Sequence, residues 1–257
     1  MNHPLFDLTG KRALVTGASR GIGRAVAIGL AAAGADLALQ GRDAQALADT
    51  VASVREARSS VWVSTHFCDL RDTDGISRLV ADVLAEGPVD TLVNNAGMNI
   101  RVPALSVSVA QWQAVLDTDL RGAFFIAQQV GQHMVERRQG SIINISSVGG
   151  LVALRTGVAY GAAKAGVIQM TKVLAMEWGK YGVRVNGIAP WYFRTPLSEQ
   201  VLSDLQYYGE VVSRTPLGRV GEVQELVGPV VFLASNAASY VTGHTLTVDG
   251  GMSIFGF

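Results

Sequence analysis

The feature that most limits how this chain can fold is the alternation of short apolar runs with longer segments of helical period. The runs are rich in Val, Ile and Leu and lack the alternating polar residues of a half-exposed strand, so they predict strands buried on both faces. The predicted strands lie at residues 12–16, 35–40, 61–68, 89–94, 141–146, 184–189 and 245–248. The predicted helices lie between them, at about residues 21–33, 43–57, 72–86, 108–136, 158–181 and 222–235.

The number and order of these elements predict one domain over residues 1–257. We expect a doubly wound, Rossmann-type α/β fold, in which a seven-stranded parallel sheet is the middle layer of a three-layer sandwich. One long stretch without strand character, about residues 190–220, follows the sixth strand. Because open α/β sheets bind ligands beyond the carboxyl ends of their strands, we expect this stretch to cover the site as a substrate lid.

Three glycines connect the first predicted strand with the first predicted helix. Gly17, Gly21 and Gly23 follow the spacing G-x-x-x-G-x-G. Glycine permits a tight turn and a close approach of the backbone, so that N–H groups and the positive end of the helix dipole face a pyrophosphate. Glycines in a turn also serve purely structural purposes, but their position directly after the first strand favours a dinucleotide site.

Two arginines indicate which dinucleotide binds. The acidic residue that would contact the adenosine ribose of NAD after the second strand is missing, and Arg42 stands there instead. A guanidinium makes charge-assisted hydrogen bonds with phosphate, so Arg42, with Arg20 inside the glycine loop, predicts recognition of a 2′-phosphate. The alternative is that both arginines are solvated surface charges. We expect NADP as the cofactor and NAD as the less favoured one.

Charge balance and cysteine content exclude several classes of function. With 21 basic and 21 acidic residues, the chain has a formal net charge of +0, so no long-range field attracts nucleic acid or an anionic membrane. Cys68 is the single cysteine, the first residues lack the pattern of a signal peptide, and the four histidines are scattered. We expect a cytoplasmic protein with a small-molecule partner and without nucleic acid, membrane or metal.

Several motifs resemble those of the short-chain dehydrogenase/reductase family, and they occur in order along nearly the whole chain. Within that family the chain is similar to tropinone-reductase-like and gluconate 5-dehydrogenase-like members. The motifs are the loop at residues 16–23, the pair Asp69 and Leu70 after the third strand, the segment Asn-Asn-Ala-Gly at residues 94–97, and Ser147 placed 13 residues before the Tyr-x-x-x-Lys sequence of Tyr160 and Lys164.

The resemblance implies a cofactor site and a catalytic set. The predicted cofactor contacts, which include the two arginines, are Gly17, Ser19, Arg20, Gly21, Ile22, Gly23, Arg42, Asp69, Leu70, Asn95, Tyr160, Lys164, Phe193 and Thr195. The implied catalytic set is Ser147, Tyr160 and Lys164, with Asp119 in the position of a family asparagine.

The tyrosine and the lysine of this set suit proton transfer. They are four residues apart in a predicted helix, so they share one face and can act on one atom. An isolated tyrosine has a pKa of about 10, and a nearby lysine ammonium favours the phenolate and lowers that value. We expect Tyr160 to exchange a proton with the substrate oxygen, Lys164 to tune it, and Ser147 to orient that oxygen.

Two residues depart from the family pattern. Asp119 replaces an asparagine whose main-chain carbonyl is thought to hold a water in relatives, and the aspartate keeps that carbonyl but adds a charge near Lys164. Trp191 follows Pro190 where most relatives have glycine. It either forms an apolar wall of the substrate pocket or packs under the neighbouring loop.

The predicted reaction is the NADP-dependent interconversion of a ketone and a secondary alcohol by hydride transfer. The substrate is a sugar acid, a polyol or a small ketone, since the candidate pocket wall suits each. Two alternatives are a 3-oxoacyl-carrier-protein reductase, with Arg137 and Arg138 as a docking patch, and a catalytically silent NADP-binding sensor. The candidate wall comprises Met98, Arg101, Val148, Leu151, Arg155, Trp191, Tyr192, Phe193 and Leu197.

Small residues on the helix at about 158–178 predict an assembly. Ala159, Ala162, Ala163 and Gly166 allow another helix to approach closely. Relatives use this helix and its neighbour to build dimers and tetramers. We therefore expect a homotetramer.

Overall fold

The computed structural model describes residues 4–155 and 157–255 and shows one parallel sheet with helices on both faces. The sheet order is β3-β2-β1-β4-β5-β6-β7, and every neighbouring pair is parallel. The strands are β1 Arg12–Val15, β2 Asp36–Gly41, β3 Val63–Phe67, β4 Thr91–Asn94, β5 Gly140–Ile145, β6 Val183–Pro190 and β7 Thr245–Val248. The predicted fold class and all seven predicted strands are confirmed.

The helices follow the predicted alternation, with three differences described below. They are α1 Gly21–Ala32, α2 Ala44–Ala57, α3 Thr73–Ala85, α4 Val109–Leu116, α5 Gly122–Arg137, α6 Val158–Trp178, α7 Pro196–Leu202, α8 Leu205–Ser213 and α9 Val227–Ala234. Within the described ranges, no helix is both long and apolar enough to cross a membrane.

The predicted continuous helix at 108–136 is wrong in its middle. One π-helical turn, Asp117–Arg121, separates α4 from α5. Such turns contain an additional residue and are frequent at functional sites. The next residue, Gly122, has no room for a side chain, because a Cβ would lie 2.6 Å from the carbonyl oxygen of Leu70. The π turn carries Asp119, which is 1% exposed.

Two other helical predictions also need correction. The predicted helix at 222–235 starts as a short 3-10 turn, and α9 begins only at Val227. Pro229 has no N–H to donate to the carbonyl of Glu225, so the α-helix does not extend backwards. None of the predicted helices lies in the stretch 190–220, which contains α7 and α8. Both are short, and their sequence signals are the N-caps Thr195, followed by proline, and Asp204.

Successive residues of the central strands are buried on opposite faces of the sheet. Val15 and Leu39 belong to the core under α1, α2 and α9, whereas Leu14 and Ala38 belong to the core under α3, α5 and α6. The expectation that every strand is buried is wrong for β3 and β7, which are half-buried. They lie at the sheet edges, where fewer elements cover a strand; the Phe67 side chain, for example, is exposed.

Candidate active site

A cleft opens at the carboxyl end of the sheet, where the strand order reverses between β1 and β4. This is the position at which open α/β sheets bind ligands. With one exception, all predicted catalytic and cofactor-contacting residues line it. They are Gly17, Ser19, Arg20, Gly21, Ile22, Arg42, Asp69, Leu70, Asn95, Asp119, Ser147, Tyr160, Lys164, Phe193 and Thr195.

The exception is Gly23, which lies under the glycine loop rather than on the cleft wall. A Cβ there would lie 2.2 Å from the carbonyl oxygen of Gly17. Gly17 and Gly21 have φ of 63° and 55°, a region that favours glycine. The Asn95 side chain donates to the carbonyls of Thr16 and Gly17, at 3.0 and 3.2 Å, and so holds the loop in place.

The glycine loop and the first turn of α1 fit a pyrophosphate. Arg20 precedes the helix in extended conformation, and no side chain of the described residues caps the helix N-terminus. The free N–H groups and the helix dipole therefore face the cleft as an anion site. A Cβ on Gly17 would lie 2.8 Å from the Cα of Ala96, so only glycine lets the loop lie this close to the segment after β4.

One residue of this region was not predicted as functional. Gln40, at the end of β2, accepts from the Gly17 N–H at 3.0 Å through Oε1 and donates to the Cys68 carbonyl at 2.7 Å through Nε2. It thereby joins the glycine loop to the segment after β3. A buried glutamine in an otherwise apolar run was the signal that the sequence offered.

The far end of this half of the cleft is charged and exposed. The Arg42 side chain is 64% exposed, and its Nη1 lies 3.8 Å from Oδ2 of Asp69. Asp69 is held by Arg71, whose Nη2 donates to Oδ2 at 2.6 Å. That hydrogen bond lowers the pKa of Asp69 to about 2. Arg42 is thus only loosely paired, and its guanidinium stays accessible to an anion.

The catalytic candidates meet at the other end. Ser147 follows β5, and its Oγ accepts from the Gly149 N–H at 3.0 Å. Tyr160 lies in the first turn of α6 and Lys164 one turn later, with Nζ 5.5 Å from the centroid of the Tyr160 ring. Lys164 is 4% exposed, and its ammonium donates to the Ile145 carbonyl at 3.1 Å. A phenol, a hydroxyl and an ammonium therefore face one space, which suits proton transfer to a carbonyl oxygen.

Asp119 forms a buried ion pair with the lysine of this set. Its Oδ2 lies 3.2 Å from Nζ of Lys164, and its Oδ1 accepts from the Met98 N–H at 2.8 Å. Burial raises the pKa of Asp119 against the opposing charge of Lys164. Burial is the largest influence on Lys164 and lowers its pKa, but the charge of Asp119, the charge of Tyr160 and the close polar contact with the Asp119 carboxylate together outweigh burial, so the net pKa of Lys164 is raised. The predicted proximity of Asp119 to Lys164 is thus present in the structure.

The segment after β6 forms the outer wall of this end. Trp191 lines the cleft and is also anchored to the neighbouring loop, where its Nε1 donates to Oγ1 of Thr215 at 3.1 Å. Next to it, the Tyr192 hydroxyl lies 2.6 Å from that of Tyr207. Burial and this hydrogen bond raise the pKa of Tyr192 to about 12, so its hydroxyl stays neutral. Nη1 of Arg101 donates to it at 3.1 Å.

Three residues of the candidate pocket wall lie elsewhere. Val148 is the first residue of the 3-10 turn after β5 and is fully buried, and Leu151 is exposed outside the cleft. Arg155 pairs with Glu210 on the outer surface. The sequence order around the loop does not show which side chains turn inward. Asn99 and Leu154 line the cleft and were missed for the same reason.

Two further surface predictions change. Ala159 and Ala163 pack inside the chain against Val115, so they are not part of a face open to another helix. Arg137 donates to Asp90 at 3.0 Å, and Arg138 donates to the Lys180 carbonyl at 3.1 Å, so both belong to contacts within the fold. In the part of the chain that the structure describes, no group of three His, Cys, Asp or Glu residues is arranged to hold a metal ion.

Comparison with known proteins agrees with this geometry. A family profile described as Enoyl-(Acyl carrier protein) reductase matches residues 17–253. The chain belongs to the short-chain dehydrogenase/reductase family, and it is an oxidoreductase of that family.

Individual relatives cover the whole chain. It is 44% identical to a gluconate 5-dehydrogenase of Gluconobacter oxydans (strain 621H), with 99% of each chain covered. It is 40% identical to a chloroplastic tropinone reductase homolog of Arabidopsis thaliana, over 98% of this chain and 78% of the relative. The crystal structure of a gluconate 5-dehydrogenase from Burkholderia cenocepacia J2315 in complex with NADP and tartrate has a TM-score of 0.93 and 38% identity, with 98% of each chain covered.

Proposed function

We propose that the protein is an NADP-dependent oxidoreductase that interconverts a ketone and a secondary alcohol on a sugar acid. The glycine loop, the first turn of α1 and Asn95 would hold the dinucleotide, and Arg20 and Arg42 would contact its 2′-phosphate. When bound, NADP supplies the hydride-transfer chemistry. The relative from Burkholderia cenocepacia, crystallised with NADP, supports this choice of cofactor.

The residues of the chain provide orientation and a proton. In the reducing direction the Ser147 hydroxyl donates a hydrogen bond to the carbonyl oxygen and stabilises the charge that develops there. Tyr160 donates its proton to the same oxygen, and the Lys164 ammonium favours the phenolate that remains. In the oxidising direction the phenolate accepts the proton of the alcohol. The predicted substrate lid, about residues 190–220, would form a cover that excludes water from this step.

The proposal of a sugar acid as substrate rests on Arg101, which lies on the cleft wall. All of its hydrogen bonds leave from Nη1, so Nε and Nη2 have no hydrogen-bond partner among the described residues. Tyr192 and Tyr207 accept from it without cancelling its charge. Two free N–H groups of a guanidinium match the two oxygens of a carboxylate. Names of the relatives, which include gluconate 5-dehydrogenase, point to the same substrate class.

The alternatives have less support. Reduction of acyl groups on a carrier protein was suggested by Arg137 and Arg138, and both are engaged within the fold. A silent sensor was suggested by the replacement of asparagine, but the Ser147, Tyr160 and Lys164 set is complete and assembled.

Substitution of Arg101 tests the sugar acid. Arg101→Met keeps the length of the side chain but removes the charge, and hydrogen bonds to a charged group contribute about 1.5–3 kcal/mol. We expect kcat/KM for a keto sugar acid to fall about 10- to 100-fold, while an uncharged ketone of the same length is affected far less. Arg155→Met is the matched control, since Arg155 lies outside the cleft. An equal loss for both substrates would contradict a carboxylate contact.

We also propose that the protein assembles as a homotetramer. The supporting observation is an apolar groove that joins the π turn to α6 and includes Leu116, Leu120, Phe124 and Met170. Light scattering at micromolar concentration is expected to give the mass of four chains, and a monomer would contradict the proposal.

A further inference from the structure

Asp119 and Lys164 form a buried ion pair, and an asparagine at position 119 could not replace the carboxylate in it. Asp119 is 1% exposed and Lys164 is 4% exposed. Oδ1 of the carboxylate accepts a hydrogen bond from the Met98 amide, whereas Oδ2 has no hydrogen-bond partner among the described residues and lies 3.2 Å from Nζ as an ion pair. The ammonium of Lys164 thus lies beside the oxygen that no hydrogen bond satisfies. The geometry therefore accommodates the ionised carboxylate.

An amide in this position has one acceptor oxygen instead of two. With its oxygen toward Met98, an asparagine would turn its NH2 group toward the Lys164 ammonium, so two donors would face each other. There is also little space for rearrangement, because a Cβ on Gly97 would lie 2.8 Å from Oδ2 and 3.3 Å from Nζ. The absence of a side chain at Gly97 thus leaves space that the Asp119 carboxylate and the Lys164 ammonium occupy.

A buried lysine tends to lose its proton, because burial penalises the charged form. The titratable groups that act on the Lys164 ammonium are the Asp119 carboxylate, from the π turn, and the Tyr160 phenol, from α6 itself. The backbone after β4 and β5 contributes only neutral groups to these contacts, the Met98 amide on Asp119 and the Ile145 carbonyl on Lys164. Asp119 therefore supplies the carboxylate counter-charge to the Lys164 ammonium.

We propose that Asp119 is a positioning residue whose carboxylate keeps Lys164 charged and in place beside Tyr160. This role rests on the proposed function, because it concerns the group that supports proton transfer by Tyr160. Without the carboxylate, Lys164 would lose its proton in the alkaline range, and the ammonium that favours the phenolate would disappear there.

The test follows the lysines of the cofactor-free protein by NMR after labelling with 13Cε-lysine. The chain has four lysines, Lys11, Lys164, Lys172 and Lys180, and the signal of Lys164 is assigned as the one missing in Lys164→Arg. In the wild type we expect Lys164 to remain an ammonium at the pH where the other lysines are half deprotonated. In Asp119→Asn its titration midpoint should fall below theirs, by about one pH unit or more.

The matched control is Asp117→Asn on the same π turn. Asp117 pairs with Arg121 at 3.0 Å and not with Lys164, so this variant should leave the Lys164 titration unchanged. If Asp119→Asn does not fold, the wild-type titration still decides the question. The proposal is wrong if Lys164 of the wild type titrates below the other lysines, or if its midpoint is the same in Asp119→Asn.

Kinetics separate this role from a structural one. Asp119→Asn should lose turnover on the alkaline side of its pH profile and keep it at lower pH, whereas a structural defect lowers kcat equally at every pH. The NMR arm does not need turnover. A shifted Lys164 in a protein that turns over no sugar acid would contradict only the proposed function, and turnover with an unshifted Lys164 would contradict only the role of Asp119.

Discussion

The two ends of the cleft are built on opposite electrostatic principles. At the catalytic end, Ser147, Lys164 and Asp119 are each less than a tenth exposed, and the two charges are paired at 3.2 Å. At the other end, the Arg42 side chain is 64% exposed and lies 3.8 Å from Asp69. Water strongly screens the exposed pair of Arg42 and Asp69, whereas it screens the buried pair of Asp119 and Lys164 much less.

This difference assigns different tasks to the two ends. A buried charge without its partner is destabilising. We therefore expect the buried residues of the catalytic end to depend on one another, so that substitution of one of them changes the reaction. An exposed arginine is free to exchange water for a phosphate, so under the proposed function the other end would adjust which dinucleotide binds and how strongly. We therefore expect substitutions at the catalytic end to act on rate, and those at the exposed end to act on selectivity.

The largest effect should come from Tyr160→Phe, which removes the phenol that carries the proton. General acid–base catalysis contributes about 10²- to 10⁴-fold to rate, so kcat should fall by that factor while NADP binding persists. Steady-state kinetics and a cofactor titration by fluorescence measure the two quantities. Tyr240→Phe is the control, since Tyr240 is fully exposed. A Tyr160→Phe variant with near wild-type kcat would refute the assignment of the proton donor.

A smaller effect is expected at the exposed end from Arg42→Asp. The change removes one charged partner of the 2′-phosphate and introduces repulsion; a hydrogen bond to a charged group contributes about 1.5–3 kcal/mol, and exposure reduces this, so NADP affinity should fall about tenfold at low salt. NAD affinity should change less, and kcat measured with saturating cofactor should equal that of the wild type. Calorimetry at two salt concentrations measures the change.

Arg78→Asp is the control for this variant, because Arg78 pairs with Asp72 outside the cleft. Two results would break the comparison between the ends: a wild type that prefers NAD, or an Arg42→Asp protein whose preference is unchanged.

The smallest effect concerns the cover over the catalytic end. Residues 191–220 pack partly on themselves, in a cluster of Tyr192, Leu202, Val211 and Val220, so we expect local opening of this segment without ligands. Amide hydrogen exchange should slow selectively across about residues 192–215 when NADP and a substrate analogue bind. The strands β4 and β5 should exchange equally in both states, because the catalytic end is already assembled. Equal exchange of this segment with and without ligands would contradict its role as a lid.

Local patterns allowed most of the architecture to be predicted. Apolar runs such as that before Gly17 identify strands because a strand buried on both faces needs a continuous apolar side-chain set. The same reasoning missed α7 and α8, since short helices depend on caps such as Thr195 more than on periodicity. It also missed the π turn at Asp119, because one additional residue in a helical turn leaves the apolar period on either side nearly unchanged.

The sequence by itself determined the order of strands and helices and the glycine loop, because each of these is encoded in neighbouring residues. The resemblance to the family singled out Ser147, Tyr160 and Lys164 as the candidate catalytic set. Only the tertiary structure decided that Asp119 accepts from the Met98 amide and pairs with Lys164, and that Arg101 meets Tyr192 and Tyr207 through Nη1 alone. These contacts join residues that are far apart in the chain. Their distances depend on how the helices pack on the sheet, and no local pattern of side chains encodes that packing.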